Sequence, residues 1–149
     1  MKNVEARPSP IHGMGLFAMR SFSHGERIVQ YTGNIVRTPP NPDANGLIFA
    51  MELDSDRWMD GCDTHNIARH ANHSCEPNAE SHLEGDSVYL IARRDIQVGE
   101  EITFDYGYNL SDALSHPCQC GAKGCLGRIV ATPLRTAFLR HFRIGRARD

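Results

Sequence analysis

Eleven consecutive residues, Arg69 to Ala79, restrict this chain more than any others. They read R-H-A-N-H-S-C-E-P-N-A and hold one Cys, two His, two Asn and a Pro. Such a run is too polar for an ordinary core element and too heavily punctuated for a random loop. Pro77 cannot continue a helix and drives Glu76 toward an extended conformation. Asn72, Ser74 and Asn78 are built to bond neighbouring backbone and fix an irregular turn. Any fold this chain adopts must find partners for these groups.

At 149 residues the chain is long enough for one domain with a real core and no staples. No run approaches the eighteen or more apolar residues of a membrane helix, and the N-terminus M-K-N-V-E-A-R-P-S-P lacks the apolar stretch of a secretory signal. The expected compartment is the cytoplasm, with nuclear residence or delivery into a host cell left open, and reduced thiols follow. The net charge of −2 conceals an asymmetry. Residues 1–127 carry 10 Lys/Arg against 17 Asp/Glu, or −7, whereas residues 128–149 carry 6 Arg against Asp149, or +5. An acidic body does not suit a nucleic-acid reader, whose binding face is basic; it suits a basic peptide partner drawn in by long-range attraction. The arginines of the C-terminal part (Arg135, Arg140, Arg143, Arg146, Arg148) read as a solvated helix face and frayed tail, in preference to a nucleic-acid contact.

Residues 1–10, with two prolines, are expected to run extended along an edge. Gly13 to Phe22 reads as glycines followed by an apolar strand. Its G-x-G lacks the third glycine and following helix of a dinucleotide fingerprint, so what it permits is close backbone approach to a ligand or strand. Arg27 to Val36 is β-branched-rich and interrupted by Gly33, giving two short strands or one bent one. Thr38 to Gly46 is a proline-rich loop. Strands are expected at Leu47–Leu53, Arg57–Met59, Ser87–Ala92 and Glu101–Phe104, and a short helical turn at Asn66–Ala71. Pro133 to Arg143 reads as an amphipathic helix with Leu134, Ala137, Phe138 and Phe142 on roughly one face. Many short strands with little helix predict a β-rich α+β domain.

The cysteines supply a second signal. Cys118, Cys120 and Cys125 form C-x-C-x4-C amid glycines, three thiolates where a tetrahedral structural zinc needs four ligands. Cys75 is the best fourth candidate, with His116 and Cys62 as competitors.

Taken together, these stretches resemble a SET-domain protein lysine methyltransferase with a post-SET zinc segment, in a compact form similar to prokaryotic members. The likeness runs from Gly13 to Ile129 through G-M-G-L-F-A, Y-T-G at 31–33 and N-I-A-R-H-A-N-H-S-C-E-P-N at 66–78. It continues through G-E-E-I-T-F-D-Y-G-Y at 99–108 and C-Q-C-G-A-K-G-C-L-G at 118–127. The resemblance implies a SET fold of short-stranded sheets over residues 1–115, a zinc segment over 116–130, and a C-terminal helix and basic tail over 131–149. It implies a pseudoknot bringing Asn72–Asn78 against Phe104–Tyr106, an exception to unthreaded chains. By the same resemblance, Met14, Gly15, Arg69, Asn72 and His73 bind S-adenosylmethionine, Tyr106 is catalytic, and Tyr31 and Phe104 line a lysine channel. Cys75 then joins Cys118, Cys120 and Cys125 on one zinc ion. Phe at position 104 implies room for more than one methyl group. The chain departs from the family's usual residues at His70, His65, Asn34 and Phe49. The implied activity is methyl transfer to a lysine ε-amine of a histone or other basic protein. A zinc-stabilised interaction module without catalysis is the reading from another class, and retention of Asn72, His73 and Tyr106 speaks against it.

Overall fold

The structure, a computed structural model, describes residues 2–44 and 48–142. Among the described residues, ten short strands form three small sheets. The first has the order β1-β2-β10-β7, built from Val4–Pro8, Met14–Ala18, Glu101–Phe104 and Asn72–His73. The second is β3-β9-β8, from Arg27–Tyr31, Ser87–Ala92 and Ala79–Glu84. The third is β4-β6-β5, from Asn34–Val36, Arg57–Asp60 and Ala50–Asp54. Helix is scarce: 3-10 turns at Ile67–His70 and Thr132–Leu134, and α-helices α1 (Leu110–Ala113) and α2 (Arg135–Phe142).

The alternating strand β9 shows how pattern becomes packing. Val88, Leu90 and Ala92 turn inward while their neighbours stay half-exposed. Leu90 and Ala92 meet Leu16, Ala18, Phe22, Ile96, Ile102 and Phe104 in the principal core, and Val88 joins Tyr31, Met59 and Ala68 in a second cluster. Strand β10 has Ile102, Thr103 and Phe104 all buried because strands flank it on both edges.

β10 pairs antiparallel with β2 on one edge and parallel with β7 on the other, in the register Thr103↔Asn72 and Phe104↔His73. Two residues make a weak strand, and Asn78 reinforces it. Buried, it accepts the Thr103 N–H through Oδ1 at 2.9 Å and donates through Nδ2 to the Glu101 carbonyl at 2.8 Å. Its side chain thus does a strand's work on the β10 backbone, beyond the turn expected of Pro77-Asn78.

Most expected strands are present with ends shifted by a few residues. Ala79–Glu84 was not expected as a strand: five of its six residues are exposed, so no alternation marks it. It pairs through the full length of β9, from Ala79↔Ala92 to Glu84↔Ser87. The expected Pro133–Arg143 helix begins as a 3-10 turn and becomes α-helical only at Arg135. It docks on a satellite cluster of its own, not on the principal core: Phe138 is buried with Ala113, Leu126 and Val130, and Leu134 and Leu139 pack around them. The ends of the expected Thr38–Gly46 loop and Leu47–Leu53 strand, the side chain of Phe142, and the tail arginines Arg143, Arg146 and Arg148 lie outside the described residues.

Candidate active site and metal centre

Parallel pairing of β7 with β10 brings the two most distinctive sequence stretches together. The Tyr106 hydroxyl donates to the Ala71 carbonyl at 2.9 Å, and its backbone N–H donates to Nδ1 of His73 at 3.1 Å. Its ring lies against Phe104 at 5.0 Å between centroids and His73 at 5.5 Å. Burial pushes the Tyr106 phenol above its ordinary range, with Tyr108, Tyr31 and Glu101 adding in the same direction. Tyr106 is therefore a neutral hydroxyl at physiological pH.

Tyr31 is buried at the end of β3 and its phenol is likewise pushed up, first by burial and then by Asp60. It fits only because residue 61 is glycine: a Cβ there would overlap the Tyr31 ring and hydroxyl. Asn66, fully buried, organises this corner. It accepts the Thr32 N–H at 3.0 Å and donates to the Gly61 carbonyl at 3.0 Å. Sequence reasoning gave Asn66 no role. Its signal is a buried amide between Y-T-G and D-G-C, and that appears only when the two loops meet.

Met14 and Gly15 open β2, and the Asn72 side chain reaches across from β7 to the Met14 carbonyl. Asn72 Nδ2 is surrounded by three acceptors at 3.0 Å each: the carbonyls of His12 and Met14, and Oε1 of Glu101. Met14 remains largely exposed. Arg69, also expected at the cofactor, has its side chain beside Cys62 and Phe49. Its guanidinium donates to the Cys62 carbonyl at 2.9 Å and lies 5.0 Å over the Phe49 ring, on the Tyr31 side. Its Nε is buried without a hydrogen-bond partner among the described residues.

The four sulfurs of Cys75, Cys118, Cys120 and Cys125 all lie within 4.8 Å of one another. Zinc–sulfur bonds of about 2.3 Å in a tetrahedron put sulfurs about 3.8 Å apart, and Cys75 and Cys118 are separated by 3.8 Å. Backbone N–H groups already point at the sulfurs, from Cys75 to Cys120 at 3.5 Å and from Gly127 to Cys125 at 3.4 Å. The contact between the Cys75 and Cys118 sulfurs, in which either can donate, lowers Cys75 well below the usual thiol range and raises Cys118. Sulfurs this close ionise together only around a cation, so the set fits one zinc ion. The competing ligands stand apart: His116 packs at a tilt against Tyr108, 4.5 Å between ring centroids, and Cys62 is exposed beside Asp60.

Comparison with known proteins agrees with this geometry. Residues 13–107 match the family described as SET domain. The chain is 38% identical over 129 residues to human "Histone-lysine N-methyltransferase 2B", covering 78% of this chain and 5% of that protein. It is 36% identical over 138 residues to the fission yeast (Schizosaccharomyces pombe) "Histone-lysine N-methyltransferase, H3 lysine-4 specific", covering 85% and 15% respectively. Among solved structures it resembles KRYPTONITE in complex with mCHG DNA and SAH, with a TM-score of 0.71 and 30% identity, covering 85% of this chain and 29% of that one. A second KRYPTONITE complex, with mCHH DNA, H3(1-15) peptide and SAH, gives a TM-score of 0.71 and 29% identity, covering 87% and 30%. This chain thus spans only a small part of the length of these relatives.

Proposed function

The chain belongs to the SET-domain family, and from that premise we propose that it transfers methyl groups from S-adenosylmethionine to the ε-amine of a lysine in a basic peptide. The observation that carries this reading is the position of Tyr106. Its hydroxyl is anchored on Ala71, one residue before Asn72-His73, with Phe104 against its ring and Tyr31 among its electrostatic neighbours.

The cofactor, when bound, supplies an electrophilic methyl group. Met14, Gly15, Asn72 and His73 would hold it, with Arg69 approaching from the side of Phe49 and Cys62. Tyr31 and Phe104 form the walls for the lysine. A lysine of pKa about 10.4 costs about 4.6 kcal/mol to neutralise at pH 7, and an aromatic channel lowers that cost by disfavouring the ammonium. Tyr106 is not the base, because burial keeps its phenol protonated. Its proton goes to Ala71, so its oxygen keeps lone pairs free to orient the amine, and positioning supplies most of the acceleration. Water takes the lysine proton before transfer. Cys75, Cys118, Cys120 and Cys125 hold the zinc as a structural pin. With Phe104 in place of a second hydroxyl, the site takes an amine that already carries a methyl group, so more than one is added.

The acidic charge of residues 1–127 supports a basic substrate. Relatives named for histone lysine and a neighbour solved with an H3(1-15) peptide support testing an H3 tail first. No helix among the described residues is long and apolar enough to cross a membrane. The test is incubation with labelled S-adenosylmethionine and either an H3 tail peptide or cell extract, followed by mass spectrometry of labelled species. Methyl-lysine is the expected product. No labelling in either sample, with no binding of SAH by calorimetry, would leave the non-catalytic interaction module as the better reading.

A further inference from the structure

Glu101 brings a carboxylate into the seam between β2 and β10, where its hydrogen-bond partners are neutral. Ser9 Oγ donates to Oε1 at 2.7 Å and, as a bifurcated contact, to Oε2 at 2.9 Å, and Asn72 Nδ2 donates to Oε1 at 3.0 Å. Ser9 is itself fixed, because its Oγ accepts the Ile11 N–H at 3.0 Å and its own N–H donates to the Gly13 carbonyl at 2.8 Å. The carboxylate also occupies the space where a side chain at position 15 would start. A Cβ on Gly15 would overlap both Glu101 and the Ser9 Cβ. The glycine that the sequence reserves for close approach is thus needed by Glu101 from behind.

The consequence falls on Asn72. A carboxamide nitrogen has two hydrogens and no lone pair to accept with, whereas its oxygen only accepts. Three acceptors around one end of Asn72 assign that end as nitrogen; reversing the amide would set oxygen against two carbonyls and a carboxylate. Oδ1 therefore faces away from all three. Asn72 as a residue is buried, but its Oδ1 is not among the described buried atoms left without a partner, so it is an open acceptor that the donor group of a bound ligand can reach.

We propose that Glu101 is a positioning residue for the cofactor: together with Ser9 it holds the Asn72 amide in the orientation that presents Oδ1 to a donor group of S-adenosylmethionine. This rests on the cofactor reading above and adds to it a residue that touches neither methyl donor nor lysine. Glu101 acts through Asn72, so its effect must vanish when Asn72 cannot respond.

The test is a double-mutant cycle read on SAH affinity by titration calorimetry. Glu101→Ala and Ser9→Ala each weaken SAH binding, Glu101→Ala by about tenfold, as for loss of one well-made hydrogen bond. Glu101→Gln, which keeps the size and loses the charge, falls between Glu101→Ala and the wild type. In an Asn72→Ala background the Glu101 substitutions add nothing further. The KM for peptide stays near the wild-type value while the KM for S-adenosylmethionine rises. Zinc content and melting temperature identify variants that fold; should Glu101→Ala fail, Glu101→Gln and Ser9→Ala complete the same cycle. Wild-type binding with unchanged SAH affinity in the folded variants, or losses that simply add in the Asn72→Ala background, would overturn the role of Glu101 alone. Failure of the wild type to bind SAH at all would overturn the cofactor reading and this one with it.

Discussion

The backbone N–H of Tyr106 donates to Nδ1 of His73 at 3.1 Å, and this bond sets the tautomer of a ring that stands between two sites. With Nδ1 accepting, the ring proton sits on Nε2, which lies 3.8 Å from the Cys75 sulfur. Asp105 Oδ1 lies 3.8 Å from the same Nδ1. Tyr106, His73 and Cys75 form a continuous run from the proposed active site to the sulfur cluster.

Removing the metal should therefore be felt at the cofactor site. We expect protein stripped by a chelator, and still folded by circular dichroism, to bind SAH several-fold more weakly than the zinc-loaded form, with affinity restored by one equivalent of zinc. Calorimetry on both forms checks this, and equal affinities would show that the run transmits nothing.

Phe104 closes one wall beside Tyr106, with ring centroids 5.0 Å apart. A hydroxyl there would hold a water or the amine where a second methyl group must turn. The Phe104→Tyr variant should shift the product distribution toward monomethyl-lysine at saturating cofactor, measured by mass spectrometry of a turned-over peptide. A wild-type enzyme that itself stops at one methyl would remove the basis for this expectation.

Peptide binding should depend on salt. The −7 carried by residues 1–127 attracts a basic segment over a range that salt shortens, from a screening length of about 10 Å at 0.1 M to about 3 Å at 1 M. The KM for peptide should rise steadily across that range while the KM for S-adenosylmethionine changes less. A flat peptide KM would mean that local contacts, not the field of the body, hold the substrate.

How much of this was readable beforehand follows from what each residue does. Cys75 and the three late cysteines were legible because thiols at such spacing amid glycines have few other uses, and their sulfurs do converge. Tyr106, Asn72 and His73 were legible as parts of a motif, and the β7–β10 pairing brings them together. Asn66 and Glu101 were not, and Asn78 was legible only as a turn residue, not as a partner of the β10 backbone. Each is a common polar residue whose importance lies in bonding a backbone or side chain from another part of the chain, and a linear pattern carries no trace of that partner. Arg69 was legible as a motif position, while its contacts with the Cys62 carbonyl and the Phe49 face were not. The exposed strand Ala79–Glu84 was hidden because it has one buried residue and so no period to detect.

Two buried phenols give the stability an alkaline limit. Tyr106 and Tyr31 are both pushed above the ordinary value near 10, chiefly by burial. A group whose folded pKa exceeds its unfolded one contributes stability that is complete below the unfolded pKa and is lost as pH rises toward the folded pKa. Urea denaturation should give no tyrosine-linked change between pH 7 and about 10, then a decline approaching about 1.4 kcal/mol per pH unit for each such phenol. Tyr31→Phe should reduce that slope. A titration of either phenol below pH 9, seen as a tyrosinate absorbance change in the folded protein, would contradict the burial argument.

Arg135 gives the last prediction, because it attaches α2 to both halves of the metal centre without using the metal. Its Nη1 donates to the Cys75 carbonyl at 2.7 Å and its Nη2 to the Gly124 carbonyl, while Gly124 N–H donates to Glu76 at 3.3 Å. Asp105 fixes the start of the same segment, accepting from Thr132 N–H at 2.8 Å and Oγ1 at 2.7 Å. Hydrogen bonds from a charged donor contribute about 1.5–3 kcal/mol each, comparable with burying one apolar side chain of the satellite cluster, about 1.5–3 kcal/mol. The C-terminal segment therefore has two anchors besides the zinc. Arg135→Met should speed zinc loss to a competing chromogenic chelator by about tenfold or more, since one lost bond alone accounts for that factor. Arg135→Lys should fall between it and the wild type, because an ammonium cannot reproduce the forked contact to two carbonyls. Phe138→Ala, which removes the apolar anchor while leaving Arg135 in place, should lower stability by about 3–5 kcal/mol and also speed zinc loss. Zinc loss from Arg135→Met at the wild-type rate would mean that the thiolates hold the loop unaided, and that the helix is a passenger on the metal centre instead of a brace for it.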